Sequence, residues 1–388
     1  MLLENKRVAI IGGGPGGLTL ARLLQLKGAD VKVYERDFNS DVRVQGATLD
    51  LHFESGLKAI EDAGLMDVFK AHYRPGADKG RVVDALANIL YDEHSQVADE
   101  DFSNEWFRPE IDRGPLRDIL LDSLQSGTVV WDSQFLSMAK VGDLWQLQFK
   151  NGTTARAHIV IGADGANSKI RPFITPVKPS YSGIIILQGN VINAEITVPH
   201  IHQLLKGGKL YAYNGGKYLH VSSKGDGSLD FYISCKKDEN WLQTSGIDFS
   251  DRVQVIAWFK KEFSDWGDVW LELVENVSLP LLPRPQYCMP LDQAWDTQPD
   301  LTLLGDAAHI MPPSGEGVNL AMLDALELTE NLTNDEFKNT QSAIAHYENQ
   351  MLIRAEKEAR DSLEMVEWMH GEDALDKMVK MLNQGLEQ

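Results

Sequence analysis

Gly12, Gly14 and Gly17 stand in the run Val8-Ala9-Ile10-Ile11-Gly12-Gly13-Gly14-Pro15-Gly16-Gly17, between an apolar stretch and the periodic Leu18, Leu20, Leu23 and Leu24. The first glycine permits a tight strand-to-helix turn, the second lets backbone approach a pyrophosphate, and the third lets helix and strand pack closely. A helix start adds amide donors and partial positive charge for phosphate. Gly12, Gly14, Pro15, Gly16 and Gly17 are therefore expected to cradle a dinucleotide. Glu35 closes the next apolar run, Val31-Lys32-Val33-Tyr34, where a carboxylate can accept both hydroxyls of a ribose. An acid at that place selects an unphosphorylated adenosine ribose, hence FAD or NAD rather than NADP.

Two further segments point the same way. Leu301 to Leu304 reads as a buried strand, and Gly305-Asp306 follows it directly. Asp306 can accept a hydrogen bond from a ribityl hydroxyl. Downstream, Met311-Pro312-Pro313-Ser314-Gly315-Glu316-Gly317-Val318-Asn319 leads into a helix, and the amides of Gly317, Val318 and Asn319 can face a flavin pyrimidine, where negative charge gathers on reduction. Such helix-end stabilisation is worth about 0.3–2 kcal/mol. With Gly162-Ala163-Asp164-Gly165 between them, the three segments imply one FAD gripped by distant parts of the chain.

The elements that must position these residues follow from periodicity. Arg7 to Ile11, the helix from Leu18 to Leu26 and the strand Val31 to Glu35 form a βαβ unit, with Gly28 ending the helix. Residues 41–70 read as helical, and Val82 to Gln96 as a short hairpin excursion. A second helix starts at Asp112-Arg113-Gly114-Pro115, with Pro115 suited to a first turn. Strands are expected at Val129 to Trp131, Trp145 to Phe149 and Ile159 to Ile161. From Tyr181 to Cys235 the chain alternates between turns at Gly207-Gly208, Gly215-Gly216 and Gly225-Asp226-Gly227, the pattern of an antiparallel sheet and a separate domain. A helical stretch at Val253 to Phe263 closes it. Gln341 through Met369 is one helix-forming run that needs a partner surface for its apolar face.

Composition excludes several functions. A net charge of −20 argues against nucleic acid and against an anionic membrane surface. The two cysteines, Cys235 and Cys288, are not spaced as a metal or redox pair, which fits a reducing, cytoplasmic compartment. Val8 to Ile11 already belongs to the first strand, leaving no room for a signal peptide, and no apolar run reaches the roughly 18 residues of a membrane span. His200 and His202 lack a third ligand and read as a surface turn, so no metal is expected. No Gly-x-Ser-x-Gly elbow or Cys/His nucleophile pairing emerges.

Together these motifs resemble the class A flavin-dependent monooxygenases, the para-hydroxybenzoate hydroxylase-like group, and within it the tetracycline-inactivating monooxygenases. The likeness runs through Val33-Tyr34-Glu35-Arg36-Asp37, Gly46-Ala47-Thr48-Leu49-Asp50-Leu51-His52, Glu110-Ile111-Asp112-Arg113, Phe263-Ser264-Asp265-Trp266 and Gly305-Asp306-Ala307-Ala308-His309-Ile310-Met311-Pro312-Pro313. It implies an α/β fold: a Rossmann-like FAD-binding domain (1–70, 104–178 and 285–335), an inserted antiparallel-sheet substrate domain (71–103 and 179–284) and a long C-terminal bridging helix (341–370). It also implies that Glu35, Arg36, Asp50, Arg113, Arg117 and Asp164 bind FAD, that Arg43 gates the flavin toward NADPH, and that His309 is structural. No second Gly-x-Gly-x-x-Gly follows a strand, so a transient nicotinamide site, for NADPH or NADH, is expected.

For substrate, the resemblance implies Gln188 as a hydrogen-bonding anchor and positions of contact at Lys209, Asp230 and Ser314. Lys209 stands where the tetracycline enzymes have Arg, Asp230 where they have His, and Ser314 where a bulky apolar residue lies beside the flavin. A Lys offers a point charge without the bidentate fork of Arg, and an Asp reverses the charge of a protonated His. Glu316 replaces the group's commoner Gln and is read as minor. The expected reaction is NAD(P)H- and O2-dependent hydroxylation of an electron-rich aromatic or enol through a flavin C4a-hydroperoxide, acting on tetracycline-type antibiotics and so inactivating them. The alternatives are another phenolic or polyketide substrate, which the three departures favour, and a flavoprotein that binds a hydrophobic ligand without oxygenating it. A monomer is expected.

Overall fold

The computed structural model describes residues 2–42, 46–95 and 100–385. β1 (Arg7–Ile11) leads through the glycine turn into α1 (Pro15–Leu26) and back to β2 (Asp30–Tyr34). β3 (Leu49–Asp50) precedes a π-helical turn at Phe53–Leu57, then α2 (Lys58–Asp62) and α3 (Met66–Lys70). β4 (Gly80–Val83) and β5 (Ile89–Asp92) form a hairpin; β6 (Glu110–Ile111) leads into α4 (Arg113–Asp122). Next come β7 (Val129–Val130), β8 (Phe135–Val141), β9 (Leu144–Phe149), β10 (Thr154–Ala157) and β11 (Ile159–Gly162). β12 (Ser180–Val191) is followed by α5 (Ala194–Thr197), α6 (Pro199–Leu205), β13 (Lys209–Asn214), β14 (Lys217–Ser223) and β15 (Leu229–Lys236). α7 (Trp241–Thr244), α8 (Arg252–Glu262) and α9 (Leu271–Asn276) precede β16 (Leu282–Cys288) and β17 (Leu301–Leu303). The chain closes with α10 (Asp306–His309), α11 (Gly317–Thr333), α12 (Thr340–Met369) and α13 (Ala374–Gly385).

A parallel sheet in the order β17-β11-β1-β2-β7 carries all three glycine-containing segments at the carboxyl ends of three adjacent strands, β1, β11 and the edge strand β17. β1, β11 and β17 are near-continuous apolar runs because both faces are covered, while β2 exposes Asp30 and Lys32 between its buried valines. Ile10, Val33 and Ile161 pack with Leu20, Leu24, Leu328 and Tyr347 from the helices. An antiparallel sheet, β10-β9-β8, packs Trp145, Leu147 and Phe149 into the same core.

The second large sheet runs β16-β12-β15-β14-β13-β4-β5 and is antiparallel except between β13 and β4. Strand alternation gives it two unlike faces. Leu187, Phe231, Val221 and Leu210 point into a core shared with Trp258, Phe259 and Trp270. The other face carries one cross-strand row of Gln188, Tyr232, His220 and Tyr211, and a neighbouring row of Asn190, Asp230, Ser222 and Lys209. Position 284/285, expected to separate two domains, falls inside β16.

Residues 41–70 are not continuously helical. Leu49-Asp50 forms a strand with Ile111 and Glu110, and the regular helices begin only after Phe53. Leu49 and Leu51 flank Asp50 in strand alternation and are both buried, so tertiary pairing overrides the local helical pattern.

α12 is 30 residues long, which spans about 45 Å at 1.5 Å per residue. Asn339 caps it, with Ser342 completing a capping box. Early in the helix Tyr347 donates to the Leu303 carbonyl at 2.9 Å; after its end, His370 Nε2 lies 2.8 Å from Ser234 Oγ on β15. α12 thus touches both large sheets. α13 lays Leu375, Met378, Val379 and Leu382 against Val82, Tyr91 and Tyr213 at one end of the polar sheet face.

Candidate active site

Gly12 has φ +111°, and a Cβ there would lie 2.3 Å from the Ala163 carbonyl oxygen, so β1 and β11 can approach this closely only through a glycine. Gly16 faces Ala321 of α11, whose carbonyl oxygen would be 2.8 Å from an added Cβ, which fixes α1 against α11. Gly14 differs: nothing lies within 4 Å of its would-be Cβ. Open space therefore sits at the α1 N-terminus, with Pro15 in the first turn and free amides beside it. Glu35, 2% exposed, accepts the amides of Gly13 and Asp37. Its carboxylate is thereby fixed against the glycine loop at the end of β2.

Arg36 is exposed. Arg117 donates to the Ser40 carbonyl at 2.8 Å and to Asp37 at 3.3 Å, and it lies over the Trp131 ring. Its Nε is buried without a partner. Arg113 donates from Nε to the Ala47 carbonyl at 3.0 Å and crowds Gly46. Arg43 lies outside the described residues.

Asp164 accepts the amides of Lys169 and Ile170 on one oxygen, while Oδ1 is buried without a partner. Burial pushes its carboxyl up. Asp306 at the start of α10 is accessible, yet desolvation raises its pKa too, the combination that a carboxylate lining a deep cleft gives. Arg171, which sequence reasoning did not single out, joins these two motifs. It is buried and donates to the carbonyls of Ala307 at 2.7 Å, Asp306 at 2.8 Å and Ala166 at 3.2 Å.

At the start of α11, Gly315 and Gly317 border open space. The Asn319 side chain is fully buried: Oδ1 accepts the His52 amide at 2.9 Å, and Nδ2 donates to the Asp50 carbonyl at 3.0 Å. Only its backbone amide remains to face a ligand. His52 bridges Asp50 at 3.0 Å and Glu316 at 3.2 Å. Burial lowers the imidazole's pKa, but the two carboxylates outweigh it and hold the group up at about 9. Burial raises Asp50, and the hydrogen bond from His52 with the Lys209 charge outweighs that, taking it down to about 2. Glu316, read as minor from sequence, is half of this bridge. An FAD fits these residues: glycine cradles, two helix N-termini opening on free space, and buried polar atoms without protein partners at Asp164 and Arg117 are what such a group would take up.

The polar sheet face adjoins that cleft. The Tyr232 hydroxyl accepts the Ala47 amide at 3.0 Å, and Asp230 lies two residues away on the same face of β15. Arg113 contributes favourable charge to both Asp230 and Asp306, which places it between sheet face and cleft. Gln188 donates to both oxygens of Asp230, at 3.2 and 3.3 Å, and accepts from Arg284 Nε at 2.6 Å. Asp230 is 1% exposed and burial pushes its carboxyl up. Lys209 is ion-paired with Glu110 of β6; burial lowers its pKa, but the neighbouring anions outweigh this and keep it protonated. His220 stacks on Tyr211 at 4.8 Å, and burial with the Lys209 charge lowers it to about 3, so it is a neutral imidazole hydrogen-bonded to Ser222. Ser314 has a buried, unpartnered hydroxyl in the loop before α11.

Gln188, Lys209 and Asp230 thus share one face, though all three are engaged by protein groups. Arg284, Tyr232, His52 and Arg171 were not found from sequence: each acts through a partner at least 40 positions away or on another strand, and no local motif marks them. His200 pairs with Glu272 at the surface, and no group of three metal-ligating side chains occurs among the described residues. Among those residues no helix is long and apolar enough to cross a membrane.

The family model described as "FAD binding domain" matches residues 5–253 and 295–362. The monooxygenase penA of Penicillium thymicola is 27% identical over 376 residues, covering 84% of each chain. HpxO of Klebsiella pneumoniae, solved with FAD and uric acid, superposes with a TM-score of 0.77 at 20% identity, covering 98% of this chain and 94% of that one. The tetracycline destructase Tet(51) gives 0.70 at 20% identity over 98% and 94%. At these identities the two structures are similar in fold.

Proposed function

The chain belongs to the FAD binding domain family of class A flavin-dependent monooxygenases, and on that premise we propose the residue roles and substrate class that follow. One atom of O2 enters an electron-rich aromatic or enol substrate, the other leaves as water, and NADPH or NADH supplies the two electrons. FAD, when bound, supplies the electron transfer and the activation of O2.

Gly12, Gly14, Pro15, Gly16 and Gly17 bind the pyrophosphate, and Glu35 accepts from the adenosine ribose with Arg36 beside it. Asp50, Arg113, Arg117, Asp164 and Asp306 hold the remainder, and the amides of Gly317, Val318 and Asn319 face the flavin pyrimidine. Arg43 gates the flavin toward the nicotinamide. The substrate lies over the sheet face that carries Gln188, Asp230 and Lys209, with Ser314 beside it. One observation carries the reading: a polar, aromatic sheet face meets the segment before Asp50 through the Ala47 amide, which the Tyr232 hydroxyl accepts at 3.0 Å.

Two of the expected anchors, Lys209 and Asp230, are held by Glu110 and Gln188. This favours a phenolic or polyketide-like substrate over tetracycline. The unpaired, buried Cys235 and Cys288 suit a reducing cytoplasm, and a monomer is the state we propose.

The test is NADPH and NADH oxidation by the FAD-loaded protein, with tetracycline and with a panel of phenols and enols, while following product mass for one added oxygen. Oxygen gain on a phenol but not on tetracycline is expected. Oxidation that no compound stimulates overturns the reading.

A further inference from the structure

We propose that Arg284 selects the substrate, and that the substrate presents an anionic oxygen, a carboxylate, enolate or phenolate carried on the ring to be oxygenated. This rests on the monooxygenase reading of the same sheet face.

Arg284 sits on β16 directly opposite Ile186 of β12, so its side chain leaves the sheet on the face that carries Gln188 two residues further along. Gln188 itself is poorly placed to read a ligand. Its oxygen accepts from Arg284 at 2.6 Å, and its amide nitrogen is shared between the two oxygens of Asp230. The residue is 5% exposed. Asp230 is itself buried beside Tyr232, whose hydroxyl takes the Ala47 amide. The amide is therefore a spacer: it fixes the guanidinium through Nε and leaves both terminal nitrogens without a hydrogen bond among the described residues.

Those nitrogens are available. Arg284 is exposed, and its terminal nitrogens make no hydrogen bond or ion pair among the described residues. Lys209 on the same face is committed to Glu110, so its charge is already compensated. β16 also runs toward the cofactor cleft: just past it, the Met289 amide donates to the Ile310 carbonyl at 2.8 Å. An arginine with a pinned Nε and two free terminal nitrogens is suited to bidentate recognition of a planar oxyanion. The local cation is the more telling because the chain as a whole carries −20, a field that disfavours anions at long range.

The experiment titrates the FAD-loaded protein with benzoate, 2-hydroxybenzoate and the enolate of a cyclic 1,3-diketone. Each is set against its neutral amide or O-methyl counterpart, and binding is followed by perturbation of the flavin absorbance. Wild type is expected to prefer at least one anion. Arg284→Gln should weaken that anion by about ten- to a hundredfold, the range of a charged hydrogen bond, and leave the neutral partner within about twofold. Arg284→Lys should fall between them, since it restores the charge without the fork. Melting temperature and FAD content of both variants should match wild type. No anion preference in the panel, or a preference unchanged in Arg284→Gln, overturns the proposal. If neutral phenols are oxygenated meanwhile, only this inference fails and the monooxygenase reading stands.

Discussion

His309 Nε2 lies 2.6 Å from Oδ2 of Asp324, and the same oxygen accepts the Gly305 amide at 2.8 Å. The other carboxylate oxygen takes Arg354 of α12 at 2.7 Å, and Arg354 also pairs with Glu327. Burial lowers the His309 pKa, but Asp324 outweighs it and raises it above its ordinary value. Burial likewise raises Asp324, and His309 with Arg354 more than reverses that. His309 is thus held inside a network that pins the Gly305-Asp306 turn, which accounts for its place beside a cofactor cleft without a role as a base.

Removing Asp324 tests this arrangement. Asp324→Ala removes the shared partner of His309, Arg354 and the Gly305 amide, leaving Arg354 to Glu327 alone and the buried imidazole without a partner, and should cost about 3–5 kcal/mol of stability. FAD should be lost in parallel, because the Gly305 amide is freed. Denaturant unfolding of the FAD-loaded and FAD-free protein measures both. A loss below about 1 kcal/mol, the range of an exposed pair, counts against the network.

The glycine loop separates two roles that are usually merged. Gly12→Ala puts a methyl 2.3 Å from a backbone oxygen at φ +111° and should prevent soluble folding or destabilise strongly. Gly14→Ala meets nothing within 4 Å, at φ −79°. It should fold with stability within about 0.5 kcal/mol of wild type, yet bind FAD more weakly, because the added methyl occupies space left for the pyrophosphate. Equal FAD affinity in Gly14→Ala and wild type would place the cofactor elsewhere.

His52 gives a pH signature of opposite sign to acid denaturation. Its pKa is held at about 9 in the fold against an ordinary value of 6.5. Its stabilisation is therefore complete below 6.5 and is lost as pH rises through 9. Groups facing the bridge are Asp50 and Glu316, then Lys209 beside Asp50 and Lys357 of α12 beside Glu316. The melting temperature of the FAD-free protein should fall across that window. His52→Gln should flatten the fall, and Glu316→Gln should reduce it. An unchanged slope in His52→Gln removes the bridge from the account.

Tyr232→Phe deletes the hydroxyl that accepts the Ala47 amide. Leaving the Ala47 amide unsatisfied should cost about 1–3 kcal/mol, and KM for an oxygenated substrate should rise more than kcat falls. A variant with wild-type stability and KM would show that water replaces the hydroxyl without consequence.

What could be read in advance follows the range of the interactions. The glycine turn, Glu35 and the Asp306 loop are local patterns, since each residue's task is set by neighbours within a strand, a turn and a helix. The strand at Leu49-Asp50 was hidden because its partner Ile111 lies on a distant segment and two residues carry no period. Gln188, Lys209 and Asp230 were named individually, but register alone decides that they share a face and that Arg284 joins them. Glu316 looked like a neutral exchange for glutamine because its imidazole partner is remote in sequence. Long-range charge pairs leave no period to detect.

The span of α12 bears on how the protein is made. The segments around the cleft run from Gly12 to Asn319, and Arg354, which secures the Asp306 turn, emerges from the ribosome after all of them. At about 5–20 residues per second, those roughly 300 residues take on the order of a quarter of a minute to a minute to synthesise. A nascent chain therefore offers FAD a glycine loop with no opposite wall. The Gly305 turn is therefore secured only once α12 has been synthesised.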